Sequence, residues 1–285
     1  MRVSSNQILE AGVQSMDNSL AEAMAWQKKI STGKNYSKAS DNPYAVSRGV
    51  RLDFDVARLE MYKTNQNYVA STHAIAQSQM GTIIDELIVL KQAFVQSQSG
   101  VLNSTNFKAL KIQAEQIRDT VKSQMTAKDA TGNSIFPETI NNVQIEPNVT
   151  VNSGVQFTDA FNGGTLANPT QSALYTKIND FVTYLDQRST GVALTNSAST
   201  VEIGLNDIFD RIITAQQRSG GIAAQVDISK EAMSTIGTEM AATASALLDT
   251  NLAEATAAYT RSQTLLNAAQ AMFARLQQSS LFSKL

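Results

Sequence analysis

Apolar and small residues recur at alternating steps of four and three at both ends of the chain, with almost no Gly or Pro among them. Near the start the series is Leu9, Val13, Met16, Leu20, Ala23, Gln27 and Ile30. Near the end it is Leu248, Leu252, Ala255, Tyr259, Ser262, Leu266, Ala269, Phe273, Leu276 and Ser280. Such steps place residues on one seam of a supercoiled helix, and a seam needs a partner to bury it. The pattern predicts long helices at both termini. Ser4 and Gln7 have the spacing of a capping box that opens the first helix, and Gly33 is placed to stop it after Ser31.

A polar connector, residues 34–41, leads to Asn42 and Pro43, which fit the cap and first position of a second helix. That helix carries Ala76, Met80, Ile83, Leu87, Leu90 and Phe94 on one face and ends at the polar run 97–100. A third helix, capped by Ser104 or Thr105, presents Phe107, Leu110, Ala114, Ile117 and Val121. Between Asp129 and Asn168 charge falls and short β-branched runs (148–151, 155–157) lie between turn signals at Gly132 and at Gly163 and Gly164. Asn168 and Pro169 then reopen helix, with Leu174, Ile178, Phe181 and Leu185 inside. Ser199 and Glu202 form a second capping box, before a helix with Leu205, Ile208, Ile212 and Ala215. Gly220, Gly221 and Gly237 are permissive points in the stretch that follows, and the last helix starts near Asn251.

The expected fold class is mainly α with a small β-rich insertion, in a nested layout. Residues 1–41 and 247–285 would form an inner coiled-coil domain, 42–128 and 169–246 a helical bundle, and 129–168 a β-rich tip.

Composition narrows the function. Among 285 residues the formal net charge is only −2, so no global field favours nucleic acid or acidic lipid, and no basic cluster interleaves with aromatics. There is no cysteine, hence no disulfide or thiolate metal site. No apolar run reaches the roughly 20 residues a bilayer requires, and the start lacks the apolar core of a cleaved signal. The expectation is a protein that binds neither nucleic acid nor membrane and leaves the cytosol, if it does, without a cleaved signal.

Catalytic chemistry is not advertised. His73 is the single histidine and reads as a partly exposed helix residue without ligand partners. Asp85 and Glu86 are adjacent, point apart on a helix and read as solvated. Asp249, Thr250 and Asn251 resemble a fragment of a calcium loop but lack its Gly and distal Glu, so a helix cap is expected. The paired glycines have no dinucleotide or P-loop context. No catalytic, cofactor-binding or metal-binding residue, and no cofactor, is expected. The terminal seams could pair inside one subunit. Their small residues (Ala255, Ser262, Ala269) and the scarcity of charge beside them, with Glu254, Arg261 and Arg275 alone between 254 and 278, favour burial on several sides.

Two stretches carry a family resemblance. Ser31-Thr32-Gly33-Lys34, followed by Ala39-Ser40-Asp41-Asn42-Pro43-Tyr44-Ala45, resembles the N-terminal signature of flagellin-like axial proteins. Asp249-Thr250-Asn251-Leu252-Ala253-Glu254-Ala255 and Leu265-Leu266-Asn267-Ala268-Ala269-Gln270 resemble the family's other end. Met1-Arg2-Val3-Ser4, Pro43 and the ending Ser280-Leu281-Phe282 are most similar to the hook–filament junction branch of that family. The signature residues are Gly33, Ser40, Asp41, Asn42, Pro43, Asp249 and Asn251. The resemblance implies a non-enzymatic structural subunit exported by the flagellar type III apparatus on an uncleaved N-terminal signal. It implies partners of four kinds: copies of the chain in a ring or helical layer, the other junction protein, flagellin, and a cytosolic export chaperone at residues 251–285. A filament flagellin and a cytosolic coiled-coil adaptor are the alternatives.

Amphipathic helices are marginal in water without packing, so the terminal segments are expected to be disordered in the free subunit and to order on assembly. The residues expected in the inner layer are Leu9, Val13, Met16, Leu20, Ile30, Leu252, Tyr259, Leu266, Phe273 and Leu276.

Overall fold

A computed structural model describes the backbone of residues 2–282 and the side chains of residue 7 and of residues 10–275. In chain order the elements are α1 (Arg2–Thr32), α2 (Pro43–Ser97), α3 (Ser104–Met125), β1 (Asn142–Glu146), β2 (Val149–Asn152), α4 (Phe157–Phe161), a 3-10 turn (Pro169–Gln171), α5 (Ala173–Thr190), α6 (Ala198–Leu248) and α7 (Leu252–Phe282). Two compact units result, one of Met1–Arg58 with Ile236–Leu285 and one of Leu59–Thr235, and α2 and α6 contribute to both.

The larger unit is built on one large core and a smaller one beneath the β1–β2 hairpin. The expected faces of α2, α3, α5 and α6 are all buried and belong to a single cluster, which includes Met80, Leu87, Leu110, Phe181 and Ile212. Burying a side chain of that size contributes about 1.5–3 kcal/mol, so these stripes dominate the stability of the unit. Phe94 and Phe181 meet edge to face at 5.7 Å. The segment between α3 and α5 feeds the same cluster: Phe136 and Phe157 both pack edge-on against Phe161 at 4.9 Å.

Only part of that segment is strand. β1 and β2 form an antiparallel hairpin with Val143 opposite Val151, turning where Asn148 takes a left-handed conformation (φ 67°). The second expected strand run, 155–157, instead leads into the short helix α4, because Phe157 and Phe161 must both reach the core. β1 was legible in the alternation Asn142, Val143, Gln144, Ile145, Glu146, which the turn-based reading passed over.

His73 corrects another expectation, since it is fully buried. It continues the α2 seam backwards as Val69, His73, Ala76 and Met80, a 4-3-4 series. Its Nε2 lies 3.1 Å from the Asn152 carbonyl, which can only accept, so the proton sits on Nε2. Nδ1 then accepts from the Ser219 hydroxyl of α6 at 2.8 Å. Two turns away Gln66 donates to the carbonyl of Ile145 and to Ser229, at 2.8 and 2.9 Å. Between these polar pairs lie Val69, Val226, Ile145 and Val151. The hairpin is therefore fastened across the α2–α6 seam by two buried polar side chains, whose unmet bonds would cost more than they return when made.

Several helix starts move by a few residues. α1 already runs from Arg2, so Ser4 lies within it. α3 is capped by Asn103, which accepts from Asn106 N at 3.0 Å, while Ser104 donates to the Ser189 carbonyl. Pro169 opens a 3-10 turn, and Ser172 caps α5 through Tyr175 N. Ser197 caps α6 through Thr200 N at 3.1 Å, leaving Ser199 inside the helix. For α3 and α6 the cap is a residue one or two positions before the expected one, with equivalent cap chemistry.

In the smaller unit α1 pairs with α7, and the first turns of α2 meet the end of α6. Gly49 permits that approach: a Cβ there would stand 2.5 Å from Leu248 Cδ1.

Candidate assembly interface

The α7 half of the terminal seam lies where the 4-3 spacing puts it. Ala255 and Ser262 are buried, and Tyr259, Leu266, Ala269 and Phe273 are half-buried. Leu252 remains 54% exposed at the start of the helix.

On α1 the buried side is displaced by one flank. Gly12, Met16, Ser19, Ala23, Trp26 and Ile30 are the covered positions, again a 4-3-4-3-4 series. Met16, Ala23 and Ile30 are shared with the expected seam, whereas Val13 and Leu20 are 44% and 45% exposed. Gly12 faces Phe273, and Ser262 approaches the Glu22 carboxylate at 3.5 Å, which sets the antiparallel register of α1 on α7. Leu9 and Leu276 lie outside the described side chains. The exposed apolar residues Val13, Leu20 and Met24 on α1 and Leu265 and Met272 on α7 flank the pair.

The signature residues assemble where α1 ends and α7 begins. Gly33 takes the left-handed conformation (φ 67°) that stops α1, as its position suggests. Its carbonyl accepts from Thr250 N at 2.9 Å, and Asn35 N donates to the Leu248 carbonyl at 2.7 Å. This two-residue antiparallel bridge brings Lys34 to Asp249, Nζ to Oδ1 2.7 Å. The Lys34 ammonium, with a second hydrogen bond from Ser245, holds the Asp249 carboxyl below its ordinary range. Asn251 then caps α7 through Ala253 N and Glu254 N.

The connector is closed by its own acid. Asp41 accepts from the backbone N–H groups of Lys38 and Ser37 at 3.0 and 3.2 Å, and these bonds hold its carboxyl below the usual carboxylate range. Asn42 accepts from Ala45 N at 3.0 Å and Pro43 opens α2. Ser40 is exposed on the connector. Lys34 belongs to the quoted signature, but its pairing with Asp249 was not legible there, and Gly12, Trp26 and Gly49 were not singled out; for Gly12 and Trp26 the second 4-3 series was the available signal. Among the described residues no group of three or more His, Cys, Asp or Glu is placed to hold a metal ion.

Residues 3–137 match the bacterial flagellin N-terminal helical region. The flagellar hook-associated protein 3 of Salmonella typhimurium is 25% identical over 136 residues, which is 48% of this chain and 43% of that protein. The homologous protein of Escherichia coli is 24% identical over the same length. The chain thus spans less than half the length of the curated relatives it matches. Among solved structures, the flagellar junction protein FlgL of Legionella pneumophila superposes with a TM-score of 0.57 at 10% identity, covering 71% of this chain and all (100%) of that one. FlgL of Xanthomonas campestris gives 0.57 at 13% identity, over 68% and 99% of the two chains. At such identities the structures establish a shared fold. The matched half of the chain resembles the flagellin N-terminal helical region, and most of the chain shares a fold with these FlgL structures. Over its N-terminal half the chain is similar to the flagellar hook-associated proteins.

Proposed function

We propose that the chain is a structural subunit of the bacterial flagellum that joins hook to filament, assembling through its terminal helices. The observation that carries this is the α1–α7 pair. It covers one seam and leaves Val13, Leu20, Met24, Leu265 and Met272 exposed on both flanks, more apolar surface than a lone pair of helices should show water. Neighbouring copies would cover those flanks. The relatives named as hook-associated protein 3 support the junction, rather than the filament, as its place.

On this reading the partners are further copies of the chain, the other junction protein, flagellin, and an export chaperone at residues 251–285. Export runs through the flagellar type III system on an uncleaved N-terminal signal, and the protein works outside the cell. Residues 1–41 and 247–285 act as the inner layer, with 42–128 and 169–246 as bundle and 129–168 as an insertion on it. The free subunit keeps its terminal segments loosely ordered, and burial of their flanks on assembly offsets the ordering cost.

The test uses two charge substitutions. Leu20→Glu changes a side chain exposed in the single chain, and Leu266→Glu one within the α1–α7 seam. Both should abolish incorporation and motility while the Leu59–Thr235 unit keeps its fold by circular dichroism and proteolysis. Normal motility with Leu20→Glu would sink the proposal. A chain that grows long filaments by itself would be a filament subunit instead.

A further inference from the structure

α1 carries a second, outward seam beside the one that meets α7. Glu10, Val13, Asp17, Leu20 and Met24 follow steps of three and four, and all five are exposed. The stripe is acidic toward the N-terminus: between Val3 and Gln27 α1 holds Glu10, Asp17 and Glu22 and no Lys or Arg. Glu22 reaches Ser262. Asp17 has no such partner among the described residues, and α7 carries no charge between Arg261 and Arg275, the stretch that runs beside it.

The end of α1 has the opposite character. A pocket of about 450 Å³ opens between the last turns of α1 and the connector, lined by Lys28, Lys29, Lys34 and Lys38 with Asp41 as the one acid. Lys29 is held by Asn35 Oδ1 at 3.0 Å and by the Trp26 ring, and Lys34 by Asp249. The Lys28 ammonium has no acceptor among the described residues. So α1 presents an unanswered carboxylate and an unanswered ammonium 11 residues apart, about 17 Å along a helix rising 1.5 Å per residue.

We propose that the lysine pocket of one copy receives Asp17 of the next, the two α1 helices lying side by side with a stagger of about 17 Å. Resting on the assembly reading above, this names the contact that sets its register. Val13, Leu20 and Met24 supply the apolar area, and the carboxylate fixes where along the neighbour they land, since α1 offers it no Lys or Arg between Val3 and Gln27. Donor and acceptor are separate stretches of one stripe, since Lys28 follows Met24 by a step of four, so the contact pairs unlike halves of the two helices.

The chain contains no cysteine, which makes a crosslink between copies diagnostic. Asp17→Cys and Lys28→Cys chains are co-expressed, flagella are isolated, and a short bis-maleimide is added. Dimers are expected only when both variants are present, and not from an Asp53→Cys and Lys28→Cys control pair. Variants found in flagella without the specific dimer would overturn the proposal. If the cysteine variants do not incorporate, charge exchange decides: Asp17→Lys or Lys28→Asp alone should lower incorporation about tenfold, and the double variant should restore it. A double variant no better than either single would overturn the contact. Absence of the unaltered chain from flagella would instead overturn the assembly reading itself.

Discussion

The Lys34 ammonium donates to the Asp249 carboxylate at 2.7 Å, tying together residues 215 positions apart and drawing the end of α1 to the start of α7. Both side chains are about half exposed, 52% and 43%, so the ion pair alone contributes little. The flanking backbone bonds, Asn35 N to Leu248 O and Thr250 N to Gly33 O, do most of the fastening. Lys34→Ala should therefore leave amide protection in α1 and α7 nearly unchanged, whereas Asn35→Pro, which removes a donor, should lower it in both. Hydrogen exchange reads the difference. Because the Asp249 carboxyl titrates below its ordinary 3.8, its contribution is complete above that pH and disappears as the pH falls through its folded value.

Gly49 sits inside α2 at a close approach to Leu248. A Cβ there would stand 2.5 Å from Leu248 Cδ1 and force that side chain to shift, so Gly49→Ala should lose part or all of the roughly 1 kcal/mol that Ala otherwise gains inside a helix. Combining it with Leu248→Ala should recover part of the loss, a coupling that a double-mutant cycle measures.

His73 makes the larger unit acid-sensitive. Burial lowers its pKa, against a smaller opposing effect of the Asn152 carbonyl, so the folded chain holds the ring neutral. Below about pH 6.5 the unfolded chain binds a proton that the folded chain refuses. Stability is then full above that pH and falls as acid is added, until the folded ring itself titrates. His73→Gln should remove this dependence from urea unfolding between pH 7 and 5; an unchanged slope would refute the assignment.

The cap of α6 separates two readings of neighbouring serines. Ser197→Ala should cost about 1 kcal/mol in thermal or urea unfolding, because Thr200 N loses its acceptor. Ser199→Ala lies inside the helix and should be close to neutral. Equal effects would mean that the helix starts elsewhere.

Much of this chain was legible without coordinates. The 4-3 spacing of Met80 through Phe94, of Phe107 through Val121, and of Ala255 through Phe273 named the faces that are covered. Gly33, Asn42, Pro43 and Asn251 marked helix ends by chemistry local to a few residues. The same kind of signal would have reached β1 and His73, had the alternation and the α2 seam each been followed further.

What the sequence alone determined is the set of long helices and their stops, since periodicity, caps and left-handed glycines act within one or two turns. Which flank of α1 turns inward was open, because Met16, Ala23 and Ile30 belong equally to a seam with Gly12, Ser19 and Trp26 and to one with Val13, Leu20 and Gln27. Only the packing of α7, with Phe273 against Gly12, decided it. The α2 seam marks His73 as buried, but its partners Ser219 and Asn152, 146 and 79 residues away, were decided by the tertiary structure, because contacts at that range leave no mark in the local pattern.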